Sequence, residues 1–352
     1  LKDSCRLNLE ERNMIEVSSS MVKPRDVSFD VLKGIGICLV LVAHSLGGYV
    51  HTFAYSFHMP LFFLVAGYFF KPRDCKKEFA LDFRRIMVPF FFTGILMLLL
   101  AMAFSPFNFE SVKSPSYALE ALIYGNGSSV NYHKIFGNFA SIGSVWFLGA
   151  LFWSRQIFNF LLNKTKGNEL LTLVCVIGVI SCLIGQYIQL PYSMIQGLTA
   201  IPFLYIGYVA KNNNLLTAHQ LGGGKSIVVI SVALWGISTF FGWLDMAQVR
   251  WKLFYFPNVL LATAGTYFFY LVSKMICRKT IYVKQVLAFL GKYSLVLVCF
   301  PVVETYVLPL GDIVPQMPMR GIVMIGLKVL WCALTLLASL KIPVLRKIFS
   351  IK

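Results

Sequence analysis

"DVLKGIGICLVLVAHSLGGYV", residues 30–50, decides how this chain must be read. Most of it is apolar enough for the interior of a bilayer, yet it carries Lys33 and His44. An ionisable side chain inside a membrane helix costs about 2.5–3.5 kcal/mol on insertion scales, so each needs a physical reason. The two lie eleven residues apart. At about 100° per residue that spacing returns to nearly the same face after three turns, roughly 16 Å along the axis. One side of the helix therefore offers a cation near one membrane surface and an imidazole in the opposite half. Gly34 and Gly36, beside the lysine, let another backbone or a ligand approach closely. The alternative is that Lys33 snorkels to lipid headgroups and His44 hydrogen-bonds a neighbouring helix.

Outward from this segment the chain keeps the same character. Its 352 residues are 57% hydrophobic and only 13% charged, with a mean hydropathy of +0.71. A water-soluble domain could not cover so much apolar surface, so the chain reads as an all-α, polytopic membrane helix bundle. About ten transmembrane helices are expected, near 31–50, 55–70, 86–104, 142–162, 169–188, 195–210, 226–243, 253–273, 285–307 and 320–340. The second and sixth are short, as tilted or partly re-entrant segments would be. The net charge of +17 does not point to nucleic acid, because the basic residues stand in short blocks between apolar runs. There they set membrane orientation. With a cytosolic N-terminus the outer connections hold only Lys113, Lys134, Arg250, Lys252 and Arg320. Both termini are therefore expected in the cytosol.

Residues 1–24 are polar, without an apolar stretch, and are set apart as an arm that need not be native, with Met14 or Met21 as possible natural starts. Residues 25–345 read as a single membrane domain and 346–352 as a short basic cytosolic tail. The longest loop, about 105–141, is turn-rich and lies outside under this topology. Its "NGS" at Asn126 matches a glycosylation acceptor, a pattern short enough to arise by chance. Five of the eight cysteines fall in apolar segments, and no disulfide framework or metal-type spacing results. No metal is expected.

Further polar residues stand where lipid is expected. His58, in "SFHMPLFFLVAGYFFKPRD", opens the second apolar segment at a depth comparable to His44 once the chain reverses. Arg84 and Arg85 meet the cytosolic start of the third. They serve either as orientation anchors or as a phosphate grip, since guanidinium forks match phosphate oxygens. With Lys33 at the same level, a cytosolic polyanionic donor becomes plausible. Arg155, Lys292, Lys328 and Glu304 also fall within expected spans. Glu304, near an outer end, would orient a histidine or pair with a cation. Trp146, in "GSVWFLGALFW", belongs at the outer interface, as a belt aromatic or as a platform for an acceptor sugar.

Together these residues resemble the membrane-bound acyltransferase 3 family, especially its fucose 4-O-acetylase-like branch. The likeness runs in order through "FDVLKGIGICLVLVAH", "FHMPLFFLVAGYFF", "FRRIMVP", "VWFLGALFW", "FLYIGYVAK" and "LGKYSLVLV". In that family the first helix carries a basic residue, usually arginine, then ten positions, then histidine. Here Lys33 stands where arginine is common, and His44 matches. Many relatives carry a histidine at what is Pro301 here, so no catalytic role passes to that position.

The resemblance implies transfer of an acyl group, usually acetyl, from cytosolic acyl-CoA to a hydroxyl of a cell-envelope glycan. The setting it implies is multi-pass in the plasma (inner) membrane of a bacterium. Lys33, Arg84 and Arg85 would hold the donor phosphates. His44 would act as general base, for which an imidazole pKa is suited, with a covalent acyl-histidine as the less economical route. His58 would bind the acceptor, orient His44 or stabilise the developing oxyanion. Trp146 and Glu304 would contact substrate. The partners are thus acyl-CoA, a glycan acceptor and the lipid bilayer, with no nucleic acid. A polytopic transporter or flippase of a glycan or small anionic solute is the alternative, although no two-fold repetition of halves is visible.

Overall fold

The computed structural model describes residues 26–351 except 47, 108–112, 129, 133–136, 219–223, 242–243, 252–253, 308–313 and 315–319. The N-terminal arm therefore lies outside the described residues. Helix α1 (Ser28–Leu46) opens where Asp26 Oδ1 accepts the Ser28 amide at 3.0 Å. The chain turns through α2 (Gly48–Tyr55) into α3 (His58–Tyr68). The Phe29 ring lies 4.6 Å from that of Tyr68, so this segment returns to the end where α1 began. With 11 residues, α3 rises about 16 Å, roughly half of a 30 Å hydrocarbon core.

Helix α4 (Cys75–Asp82) runs through one π-helical turn, Phe83–Met87, into α5 (Val88–Phe104). In that wide turn the Val88 amide reaches back to the Phe83 carbonyl. Pro89 follows at once, and its ring would clash with the carbonyl four residues earlier in a regular helix, which the wide turn relieves. Then come α6 (Pro115–Tyr124), a short hairpin of β1 (Val130–Tyr132) and β2 (Gly137–Phe139), α7 (Trp146–Lys164), α8 (Gly167–Ile184) and α9 (Met194–Asn212). Helix α10 (Gly224–Phe241) leads through a two-residue pair, β3 (Leu244–Asp245) with β4 (Arg250–Trp251), to α11 (Tyr255–Lys279). The chain closes with α12 (Ile281–Lys292), α13 (Ser294–Val307), α14 (Arg320–Lys341) and α15 (Pro343–Ile348).

Among the described residues, six helical segments are long and apolar enough to cross a bilayer, and the α12–α13 pair, bent by 72°, would make a seventh. The all-α polytopic membrane class holds, but this measure does not reach the ten expected spans. The expected segment at 55–70 is the short α3, and that at 285–307 is broken beside Lys292 instead of straight. The sixth, by contrast, belongs to a 22-residue helical segment, Pro191–Asn212.

Helices α3, α7 and α8 pack around α9, and two crossings bring backbones into direct contact. A Cβ on Gly67 would overlap the Leu204 carbonyl, and one on Gly207 would overlap that of Leu64. The same reciprocity joins α1 to α12: Gly34 lies against the Leu287 carbonyl and Gly291 against that of Asp30. Small residues let helices approach this closely without a hydrophobic driving force between them. Leu183, Val229, Leu260 and Ile322 point outward from α8, α10, α11 and α14, as side chains facing lipid do.

Candidate active site

Two cavities of different chemistry open within the bundle. One has a volume near 60 Å³ and brings together His58, Trp146, Tyr55, Asp245, Ser144 and Val40. His58 opens α3 and is 2% exposed. Its Nδ1 stands 2.6 Å from the Ala54 carbonyl. A carbonyl only accepts, so Nδ1 carries the hydrogen and Nε2 is the acceptor atom of the neutral ring. Trp146 is buried, with Gly127 set against its indole where a side chain would collide. It is therefore a cavity wall and not a belt aromatic. Ser144 donates from Oγ to the Val298 carbonyl at 2.7 Å, tying this wall to α13.

Asp245 was not singled out in the sequence. It sits 4% exposed on β3, where the Gln248 amide donates to its Oδ1 at 3.1 Å. Gln196 of α9 donates from Nε2 to the Ala247 carbonyl at 3.1 Å and fixes the hairpin over the cavity. Burial raises the Asp245 carboxyl above the ordinary carboxylate range; the Gln248 and Ala247 amides and the charges of His51 and Arg250 oppose the rise. His51 stacks on Tyr55 with centroids 3.7 Å apart. A histidine ring, a buried carboxylate and an indole thus line one niche, whose volume is enough for a hydroxyl group but below that of a whole-ligand pocket.

His44 belongs to α1, four residues and so one turn beyond the cavity-lining Val40; its side chain lies outside the described residues. Asn126 is buried at 1% exposure with both side-chain polar atoms unpaired among the described residues, which removes it as an accessible glycosylation acceptor. Glu304 is buried on α13 and its Oε2 has no partner among the described residues. Lys328 of α14 is its cationic neighbour. The carboxylate does not line the cavity that holds His58 and Trp146.

The second cavity lies before the start of α5 and measures about 780 Å³. Arg84 and Arg85 line it together with Arg346 and Lys347. Lys33 does not; its Nζ pairs with Asp30 at 3.0 Å. The arginines of the π-helical turn are exposed, whereas Glu78 and Asp82 on α4 are buried. Those carboxylates hold Arg155 of α7, which donates from Nη2 to Glu78 at 2.5 Å and from Nε to Asp82 at 2.9 Å. Arg73 donates to the other Glu78 oxygen at 2.8 Å. Arg155, which sequence alone left without a partner, is thus the post that holds α4 and aims Arg84 and Arg85 outward. Among the described residues no three His, Cys, Asp or Glu stand together as metal ligands, and the seven described cysteines are free thiols.

A family model described as an acyltransferase domain of the acyltransferase 3 type matches residues 26–337. No curated protein matches the chain, and no solved structure does. The match takes in the His58, Trp146 and Asp245 cavity, the Arg84–Arg85 turn and the Arg155 post, so the chain belongs to the acyltransferase 3 family of membrane acyltransferases.

Proposed function

We propose that this acyltransferase moves an acyl group, acetyl in the simplest case, from cytosolic acyl-CoA to a hydroxyl of a cell-envelope polysaccharide or lipid-linked glycan. The observation that carries the reading is the pairing of cavities. One is wide and ringed by cations; the other is small, with histidine, carboxylate and indole. A donor that is polyanionic at one end and reactive at the other suits such a pair. The charge bias supports a cytosolic cationic end with both termini on that side, and the family likeness supports a bacterial inner membrane as the setting.

In this scheme Arg84 and Arg85 grip the donor phosphates. Lys33, already paired with Asp30, lends its charge from the same end. His44 takes the proton from the acceptor hydroxyl, the oxygen attacks the thioester carbonyl, and the tetrahedral intermediate collapses with cleavage of the C–S bond. The imidazolium returns its proton to the thiolate, giving free CoA and the ester. With Nδ1–H committed to Ala54, the neutral form of His58 would present an acceptor, not a donor, at Nε2. That favours its holding an acceptor hydroxyl over its stabilising an oxyanion. Trp146 and Asp245 complete the acceptor side, and Glu304 supports it from α13. The likeness to the fucose 4-O-acetylase-like branch supports a sugar hydroxyl as acceptor.

The test uses inside-out membrane vesicles given acetyl-CoA labelled in the acetyl group. Label should enter base-labile ester on the glycan fraction with the intact protein and not with Arg84→Ala/Arg85→Ala. Label that enters equally with that variant, or that resists mild base, would refute the scheme.

A further inference from the structure

The segment after α14 is more than a basic tail. Phe349 is buried and places its ring 5.5 Å from Phe300 of α13 and 6.0 Å, edge to face, from Phe92 of α5. Helix α15 ends in a Schellman arrangement: the Ile351 amide donates to the Arg346 carbonyl at 2.8 Å, and the Ser350 amide to that of Lys347 at 3.3 Å. Ser350 takes the left-handed conformation this requires, at φ 51°. The anchor and the cap fix the last turn of α15 against the bundle. They leave Arg346 and Lys347 exposed across the cavity from Arg84 and Arg85.

Those four cations line one cavity, no acidic residue lines it, and among the described residues none of the four forms a salt bridge. Like charges gathered around one concavity repel each other and raise the local concentration of anions. A single phosphate would not need about 780 Å³, which is in the range of cavities that take whole nucleotides.

We infer that α15 is a clamp: Arg346 and Lys347, held by Phe349, close the polyphosphate site that Arg84 and Arg85 open, and its ligand is a nucleotide carrying several phosphates. This rests on the donor reading above and adds two binding residues and an anchor to it. Anionic lipid headgroups share the chemistry, so the experiment separates the two sources.

Full-length protein is placed in nanodiscs of phosphatidylcholine alone, or with added phosphatidylglycerol, and CoA binding is titrated at low and moderate salt. Arg346→Ala/Lys347→Ala should weaken CoA binding on the order of tenfold and flatten its salt dependence in both lipids. Phe349→Ala should weaken it with all four cations still present. Lys164→Ala/Lys166→Ala, an equal loss of charge at the end of α7 and just before α8, should change nothing. Melting curves confirm folding of each variant.

If Arg84→Ala/Arg85→Ala abolishes binding while the Arg346/Lys347 pair has no effect, the clamp is wrong and the donor site stands. If neither pair affects CoA binding, both fall. If Arg346→Ala/Lys347→Ala releases only phosphatidylglycerol, the clamp holds lipid and the inference is overturned.

Discussion

Replacing Arg155 by methionine tests the post that carries the arginine turn. The guanidinium is only 17% exposed, and its partners Glu78 and Asp82 are 0% and 4% exposed. Once it is gone, Glu78 keeps Arg73 at 2.8 Å, but Asp82 keeps only the Gln156 Nε2 at 2.9 Å. The loss therefore falls mainly on Asp82, a buried carboxylate left with only the weaker charge interaction of Arg85. Two charge-assisted hydrogen bonds at about 1.5–3 kcal/mol each set the upper end, and breaking a buried pair from one side costs about 3–5 kcal/mol. The lower range applies because Glu78 retains a cation. A thermal melt of the detergent-solubilised protein should fall by on the order of 5 °C or more. Neutralising what remains, in Glu78→Gln/Asp82→Asn/Arg155→Met, should recover most of that loss, since an uncharged cluster has no ion to strand. A single variant melting within a degree of wild type, or a triple variant no better than the single, would refute the reasoning.

Two further outcomes follow from the geometry. The Asp245 carboxyl is raised by burial above its ordinary 3.8, so the folded protein holds a proton that the unfolded chain has lost between those values. Its contribution to stability is fully present below 3.8 and falls as pH rises through the folded value. Asp245→Asn should melt no lower than wild type at neutral pH and show a flatter stability profile above pH 4, while acyl transfer drops. A lower neutral melt with unchanged activity would count against a role at the acceptor. Gly207→Ala drives a methyl into the Leu64 carbonyl and should cost about 1–3 kcal/mol. Gly326→Ala, with nothing within 4 Å, should be neutral or slightly stabilising; equal melts for the two would deny the tight α3–α9 crossing.

The hydrocarbon environment made the helical class legible, because apolar runs of about 20 residues have few other uses. Gly34 was readable as a point of close approach for the same local reason. The acidic pair Glu78 and Asp82, four residues apart on one helix face, was the available signal for a partner to Arg155. Nothing local joined them to it across more than 70 positions. Asp245 gave no signal, since one aspartate in "GWLDMAQVR" looks solvated until β3 and β4 fold it under Gln196. Arg346 and Lys347 looked like orientation charges because the docking of Phe349 is purely tertiary. The histidine spacing in α1 and the opening of α3 at His58 were legible, whereas Lys33 standing apart from the arginine cavity was not.

The central claim is that a first-helix histidine serves acyl transfer to an envelope glycan. Base-labile O-acyl groups on envelope glycans should be quantified by NMR from cells with the intact protein, with His44→Ala at equal membrane abundance, and with none. The account predicts O-acyl signal only with the intact protein. Equal signal in all three would contradict the acyl-transfer claim, and signal surviving in His44→Ala would contradict the role given to that histidine.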